Sequence, residues 1–575
     1  MKLAAPSRLV PVLGTVAPLF IYLGVAFFCL GTHVSWTKFY FGTTADCLLF
    51  IWCLHWWPFA ISHGLNPFLC KYVWFPEGYN FAWNTSIPLF ALLMWPVTML
   101  GSPALSFNIL AVAMPAVSSW AAFLLGRELT RDWAASLVCG FLFGFSTPEL
   151  MQAGELNVGY VFLAPLAVLL CLRRVKGKLS RRRFVILFAL LMAAQLGIST
   201  EMLALLCIGG TLAWAVFLLF APKPERSTIA RLALDAALAA PLTMLLTTPL
   251  LYYLVLGLPE VPSIGIHPLF VQVADALNLL VPAPHVHSLW DALTAIAGEF
   301  RGYRPGYSTY LSIPLLIMLL LYASRHMRVP YMRALLCLLG LFTLLGMGPR
   351  LQFNGAITAL PLPSEVFSHI PVIRTLVTPR FLFYVELGLA LISAFWLAEG
   401  KTPRARTLRF GLAIVACICL LPAKVRVAEE SWQTHKLFPP AGVLYWTRWP
   451  EHPFFTPGHI RAALGPMPNV LILPDPVTSP AMAWQIDSGM GFTQATGYIG
   501  FRLANQLRWK GMDDLTWGRL MPNFTHFFPA FCAAHKVDYV LIAPGTPVNI
   551  VAAIERLGWP HRTDMGIEIV TPPRS

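Results

Sequence analysis

Between Pro11 and Pro422 the chain alternates long apolar runs with short basic clusters, and this alternation limits how it can fold more than any other feature. Many runs approach the roughly 20 residues that a helix needs to cross a bilayer. Only 12% of the 575 residues are charged, against roughly 25% in an ordinary soluble domain. A chain of this kind is an integral membrane protein. Its basic clusters read RELTRD, RRVKGKLSRRR, APKPERSTIAR, SRHMR and EGKTPRARTLR. Lys and Arg gathered in short loops orient a membrane protein with those loops in the cytoplasm. The formal charge of +14 is therefore a topological signal. No basic face interleaved with stacking aromatics follows the membrane part, so no nucleic acid partner is expected. The 11 Cys lie mostly inside apolar runs without CxxC or Cys/His spacing, and read as small buried or lipid-facing hydrophobes.

With every basic cluster inside, about eleven spans can be placed, at 10–30, 104–125, 134–145, 158–172, 184–198, 203–220, 232–256, 311–324, 334–347, 381–398 and 408–421. The first follows Lys2 and Arg8 and is too long for a signal-peptide core, so it is expected to stay as a span. Residues 32–102 then form a large exterior loop. Its two apolar runs, 46–62 and 87–100, are short and carry Pro or Trp, which suits helices lying in the membrane interface. The expected fold is a mainly α, polytopic bundle over 1–423 followed by a small exterior α/β domain over 424–575. In that domain NVLILP (469–474) and VDYVLIAP (537–544) read as buried strands, and 548–557 as a helix. The stretch SGMGFTQATGYIGF reads as a Gly-rich loop; it lacks GxGxxG after a strand, so no nucleotide fingerprint is present.

This topology puts an unusual set of polar residues on the exterior face: Asp46 in TTAD, Glu155 and Asn157 in GELN, Glu201 in STE, the loop 257–308, and Arg374 and Arg380 in IRTLVTPRF. Each also has a structural reading. Asp46 suits a helix cap, the glutamates suit hydrated span ends, and the arginines suit headgroup anchors. His63, His285 and His287 read as interfacial polar residues. Their convergence on one face favours chemistry, because ionisable residues in membrane domains are costly and usually functional or paired. A carboxylate can act as general base toward a hydroxyl, and an arginine fork binds a phosphate bidentately. Trp56, Trp57, Trp74 and Trp83 suit lipid headgroups or sugar rings.

The segment from Asp46 through NTSIP, the stretch GFSTPELMQAGELN and the stretch IPVIRTLVTPRF resemble the GT-C superfamily of polytopic membrane glycosyltransferases, in a poorly characterised bacterial branch. The resemblance covers most of 46–380 and implies an inverting sugar transfer from a polyprenyl-phosphate donor to a glycan, lipid or protein acceptor. Surface polysaccharide is one such acceptor. It further implies an inner (plasma) membrane protein with a periplasmic carboxy-terminal domain. Asp46 matches the first-loop carboxylate that serves the family as base, and Glu155, where related chains often keep a polar loop residue near acceptor or donor, is the second catalytic candidate. Arg380, Arg374, Glu201, Asn157 and His63 are then candidates to bind the donor. The chain lacks the adjacent acidic pair of many members, which leaves a divalent metal requirement open; no other cofactor is expected. The competing functions are a transporter or flippase of a lipid-linked sugar and a non-catalytic scaffold for glycan assembly. No internal repeat of the kind found in transporters is present.

Overall fold

The computed structural model describes residues 9–573 except 33, 43–44, 258–272, 283–308, 371–372, 423–424, 429–443, 475–479, 500–507, 510 and 517–518. The bundle contains α1 (Leu9–Ala26), α5 (Pro103–Thr130), α6 (Trp133–Gly144), α9 (Leu163–Val175), α10 (Arg181–Ile198) and α11 (Thr200–Phe220). It continues with α13 (Ala239–Leu246), α14 (Thr248–Val255), α15 (Ile313–His326), α16 (Pro330–Gly346), α18 (Leu382–Ala398) and α19 (Pro403–Leu420). Small residues let α5 and α6 approach closely. A Cβ added to Gly140 would fall 2.2 Å from the Tyr22 hydroxyl and 2.5 Å from the Ser119 carbonyl. One added to Gly144 would fall 2.2 Å from Ser119 Oγ and 2.3 Å from the Pro115 carbonyl. Such stripes bring helix backbones together in lipid, where no hydrophobic force does so.

The basic clusters meet at one end of this bundle. Glu128 on α5 pairs with Arg173 (3.2 Å) and Lys178, and Asp235 with Arg174 (2.7 Å) and Arg181 (2.8 Å). Asp132 meets Arg406 at 3.1 Å, and Glu399 meets His326 at 2.9 Å. Partly exposed pairs contribute roughly 0–1 kcal/mol each, so the belt fixes where helix ends meet more than how stable they are. The starts of α11 and α18 and the end of α6 lie at the opposite end.

Among the described residues, seven helices are long and apolar enough to cross a membrane, and four apolar helices are shorter. The expected eleven spans are therefore not reached by length. Two of the seven also do something other than cross. One is α2 (Ala45–Ser62), which lies against the carboxy-terminal part, where Asp46 meets Tyr498 and Trp52 meets Gln485, and against the first loop, where Trp56 and Phe59 pack on Tyr72. The other is the stretch Lys223–Leu246, made of α12 (Lys223–Ala237) and α13: Glu225 of α12 bonds Tyr331 and Asp235 bonds the 174–181 cluster, so both ends of α12 sit on the basic belt. The apolar run 232–256 is broken accordingly into the end of α12, α13 and α14. The run 87–100 forms two short helices, α3 (Pro88–Leu93) and α4 (Trp95–Leu100), with Leu93 and Leu100 exposed.

Beyond the bundle, β8 (Asn469–Leu473), β9 (Thr493–Gln494) and β10 (Tyr539–Ile542) run parallel, and β12 (Ile567–Val570) and β11 (His561–Asp564) add antiparallel, in the order β11-β12-β10-β8-β9. Both apolar runs read from the sequence are thus adjacent strands, and α24 (Val548–Glu555) follows β10. The Gly-rich stretch after Ser488 supplies β9 as well as loop. The first loop is sewn to this part twice. Strand β1 (Phe39–Phe41) pairs with β7 (Tyr445–Arg448), which pairs in turn with β6 (Arg426–Ala428). The backbone of Tyr72–Phe75 bonds the open edge of β9, with Gln494 N to Tyr72 O and Phe75 N to Gln494 O, each 3.0 Å.

Candidate active site

Asp46 lies in the first turn of α2, one residue inside its start. There a negative charge is favoured by the unpaired N–H groups of the helix end. Its carboxylate does not act as the cap. Oδ1 instead accepts a hydrogen bond from the Tyr498 hydroxyl at 2.6 Å, across 452 residues of sequence. The next residue, Cys47, points its thiol at the Gly154 carbonyl at 3.8 Å. Gly154 adopts φ +107, a backbone conformation that favours glycine, and an added Cβ would lie 3.3 Å from Cys47 Sγ and 3.5 Å from Phe41 O. Glu155 follows directly. One corner thus gathers Asp46, Glu155 and Tyr498 from three separate segments.

A buried polar network keeps α2 in that corner. Gln485 is fully buried, and its Oε1 accepts from Trp52 Nε1 (2.9 Å) and Gln494 Nε2 (3.0 Å). Its Nε2 donates to Tyr72 O (3.0 Å) and Phe492 O (2.9 Å). A network satisfied on all sides specifies one arrangement, because any other would leave a buried polar group unpaired.

A second corner forms where α11 meets the start of α18. Glu201, in the first turn of α11, accepts from Val377 N at 3.0 Å and is ion-paired with Arg380. Arg380 is the more buried partner, with its side chain 11% exposed against 29% for Glu201. Arg374 precedes it, half-buried. Both corners lie at the end away from the basic belt, and α3 spans between them: Leu89 packs on Gly197, at the end of α10. His63 joins neither corner. It follows the last residue of α2, about 25 Å along the helix from Asp46, and its Nδ1 lies 2.8 Å from the Phe59 carbonyl, closing the helix end. His285, His287 and most of the loop 257–308 lie outside the described residues.

Three further groups were not singled out from the sequence. Tyr498 is the first. The second is Glu149, in the short helix α7 (Thr147–Met151), which is wholly buried, neither carboxylate oxygen having a partner in hydrogen-bond geometry among the described residues. Burial pushes its carboxyl well above the usual range. The sequence Ser146-Thr147-Pro148-Glu149 has the spacing of a capping box, but no side-chain cap forms. Third is Gln485, which only its fold neighbours reveal. Asn157, already a candidate, keeps a buried side-chain oxygen with no partner among the described residues, in α8 (Leu156–Gly159). No group of three His, Cys, Asp or Glu side chains among the described residues could hold a metal ion.

No family model and no curated protein sequence matches the chain. Solved structures do. The cryo-EM structure of arabinofuranosyltransferase AftD from Mycobacteria aligns with 100% of this chain and 40% of its own length, at 14% identity and a TM-score of 0.56. The archaeal oligosaccharyltransferase AglB from Archaeoglobus fulgidus, in complex with an inhibitory peptide and a dolichol-phosphate, aligns over 99% of this chain and 75% of its own, at 11% identity and 0.51. The chain thus spans two fifths of the arabinofuranosyltransferase. At such identities it is the fold that is shared. The protein is a multi-pass membrane protein that shares its fold with these two membrane enzymes.

Proposed function

We propose that the protein transfers a sugar from a polyprenyl-phosphate carrier to an acceptor hydroxyl on the exterior face of the inner membrane. The observation that carries this reading is the first corner, where a carboxylate at a helix start is held between the first loop, the Glu155 loop and the carboxy-terminal part. It sits at the end of a GT-C bundle opposite the positive belt, and a positive belt marks the cytoplasmic side. Asp46 acts as general base. It takes the proton of the acceptor hydroxyl as that oxygen bonds to the anomeric carbon, while the bond from that carbon to the phosphate oxygen breaks. Attack opposite the leaving group inverts the anomeric centre. The carrier leaves as polyprenyl phosphate, and Arg380 with Arg374 receives its charge, Glu201 holding Arg380 in place. This chemistry is carried by a carboxylate and two guanidinium groups, and the domain beyond 424 lies on the same exterior side.

The test is transfer by the purified protein in vesicles of known orientation. A short-chain polyprenyl phosphate carrying one pentose or hexose should serve as donor, for an acceptor on the side where Glu555 is accessible. A nucleotide sugar should not. Transfer from nucleotide sugar alone, or only to acceptors on the side of Gly177, would overturn the proposal.

A further inference from the structure

We infer that Tyr498 is a positioning residue for the proposed base, so that the carboxy-terminal part completes the catalytic corner. The inference rests on the reading of Asp46 as base. A half-buried carboxylate with one oxygen tied is fixed in rotation. The 2.6 Å separation from Tyr498 Oη falls in the range of a hydroxyl donating to a charged carboxylate. Oδ2 has no partner among the described residues, and it is the atom left to take the acceptor proton. The corner has no other donor to Asp46 among the described residues, and the helix N–H groups of α2 do not serve it.

The loop that presents Tyr498 is itself built for close approach. Trp74 N and Nε1 donate to Thr496 O (3.0 Å) and Gly497 O (3.1 Å). Gly497 adopts φ +143, and a Cβ on it would lie 2.9 Å from both Cβ and Cγ1 of Val73. Only glycine combines that backbone with that contact. Segment 72–75 of the first loop therefore clamps the residues just before Tyr498, and the phenol reaches Asp46 from a rigid base. The hydroxyl is not at the reacting atoms, and it acts through Asp46.

Tyr498→Phe keeps the ring and removes the bond. With the polyprenyl-phosphate sugar probe, kcat should fall about 10- to 100-fold, the scale of small misplacements of a catalytic group. KM should change less than about twofold and the thermal midpoint should hold, since a purely structural tether would lower the midpoint instead. A second measurement needs no substrate: with fluorotyrosine at position 498, Asp46→Asn should move its ¹⁹F resonance. An unmoved resonance, or unchanged kcat in Tyr498→Phe while Asp46→Asn is inactive, overturns the inference and leaves the proposed function standing. A moved resonance with full transfer by both variants overturns the inference through the assignment of Asp46 as base, while sugar transfer by the protein stands.

Discussion

Asp46, Glu201 and Asp487 are three carboxylates held in three ways, and the difference separates candidates for chemistry from residues that only cost stability. Asp46 has a hydroxyl donor, and Glu201 has a backbone N–H and an arginine. Asp487 has, among the described residues, the Trp449 indole N–H, at 3.0 and 3.1 Å from its two oxygens. Burial pushes its carboxyl up to about 6, with Glu451 adding to the rise and the indole opposing it. The folded state thus binds this proton more tightly than the unfolded chain. The resulting stabilisation is full below the unfolded pKa and is lost as pH rises through about 6. Asp487→Asn, which still accepts from Trp449, should therefore raise the thermal midpoint at pH 8 by about 1–2 °C and leave it unchanged at pH 4. The polar candidates at span ends were legible because a charge beside an apolar run stands out. Tyr498 was not, because nothing local marks a tyrosine whose partner lies 452 positions away.

The same contrast appears among helices. Periodicity and length identified most of the bundle, and Pro, Trp and His marked residues 46–62 as unlike a simple span. Length alone would have made α2 cross the membrane, and only its contacts with Tyr498 and Gln485 show it lying along the carboxy-terminal part. The run 232–256 misled in the other direction. Its first residues belong to α12 on the basic belt, and an apolar count does not see Asp235 bound by two arginines. The stripe of Ser136, Gly140 and Gly144 on α6 carries its own test. Gly144→Ala sets a methyl against two oxygens of α5, Ser119 Oγ and the Pro115 carbonyl, and by forcing the helices apart should destabilise by roughly 1–3 kcal/mol. Gly210→Ala, in α11 with open space around it, should be neutral or gain up to about 1 kcal/mol of helix propensity. Thermal midpoints of the two variants in one detergent decide this, and equal effects would contradict the close-packing reading.

At the scale of the molecule, one buried core runs from Tyr22 on α1 through Trp52 on α2 to Val540 and Val570 in the five-stranded sheet. The proposed catalytic corner lies along that seam, which explains why no single stretch of sequence contains it. Its two strongest candidates, Asp46 and Glu155, come from different loops, and the residue that fixes Asp46 comes from the last fifth of the chain. The claim on which this arrangement depends is that Asp46 does chemistry. Asp46→Asn is the informative change, because the amide keeps the shape and an acceptor for Tyr498 but cannot take a proton. Single-turnover transfer from a polyprenyl-phosphate sugar by purified Asp46→Asn should be slower than wild type by roughly 100- to 10,000-fold, the range of general-base catalysis, with donor binding retained. Turnover within a few-fold of wild type would contradict the assignment and make Glu155 the carboxylate to examine.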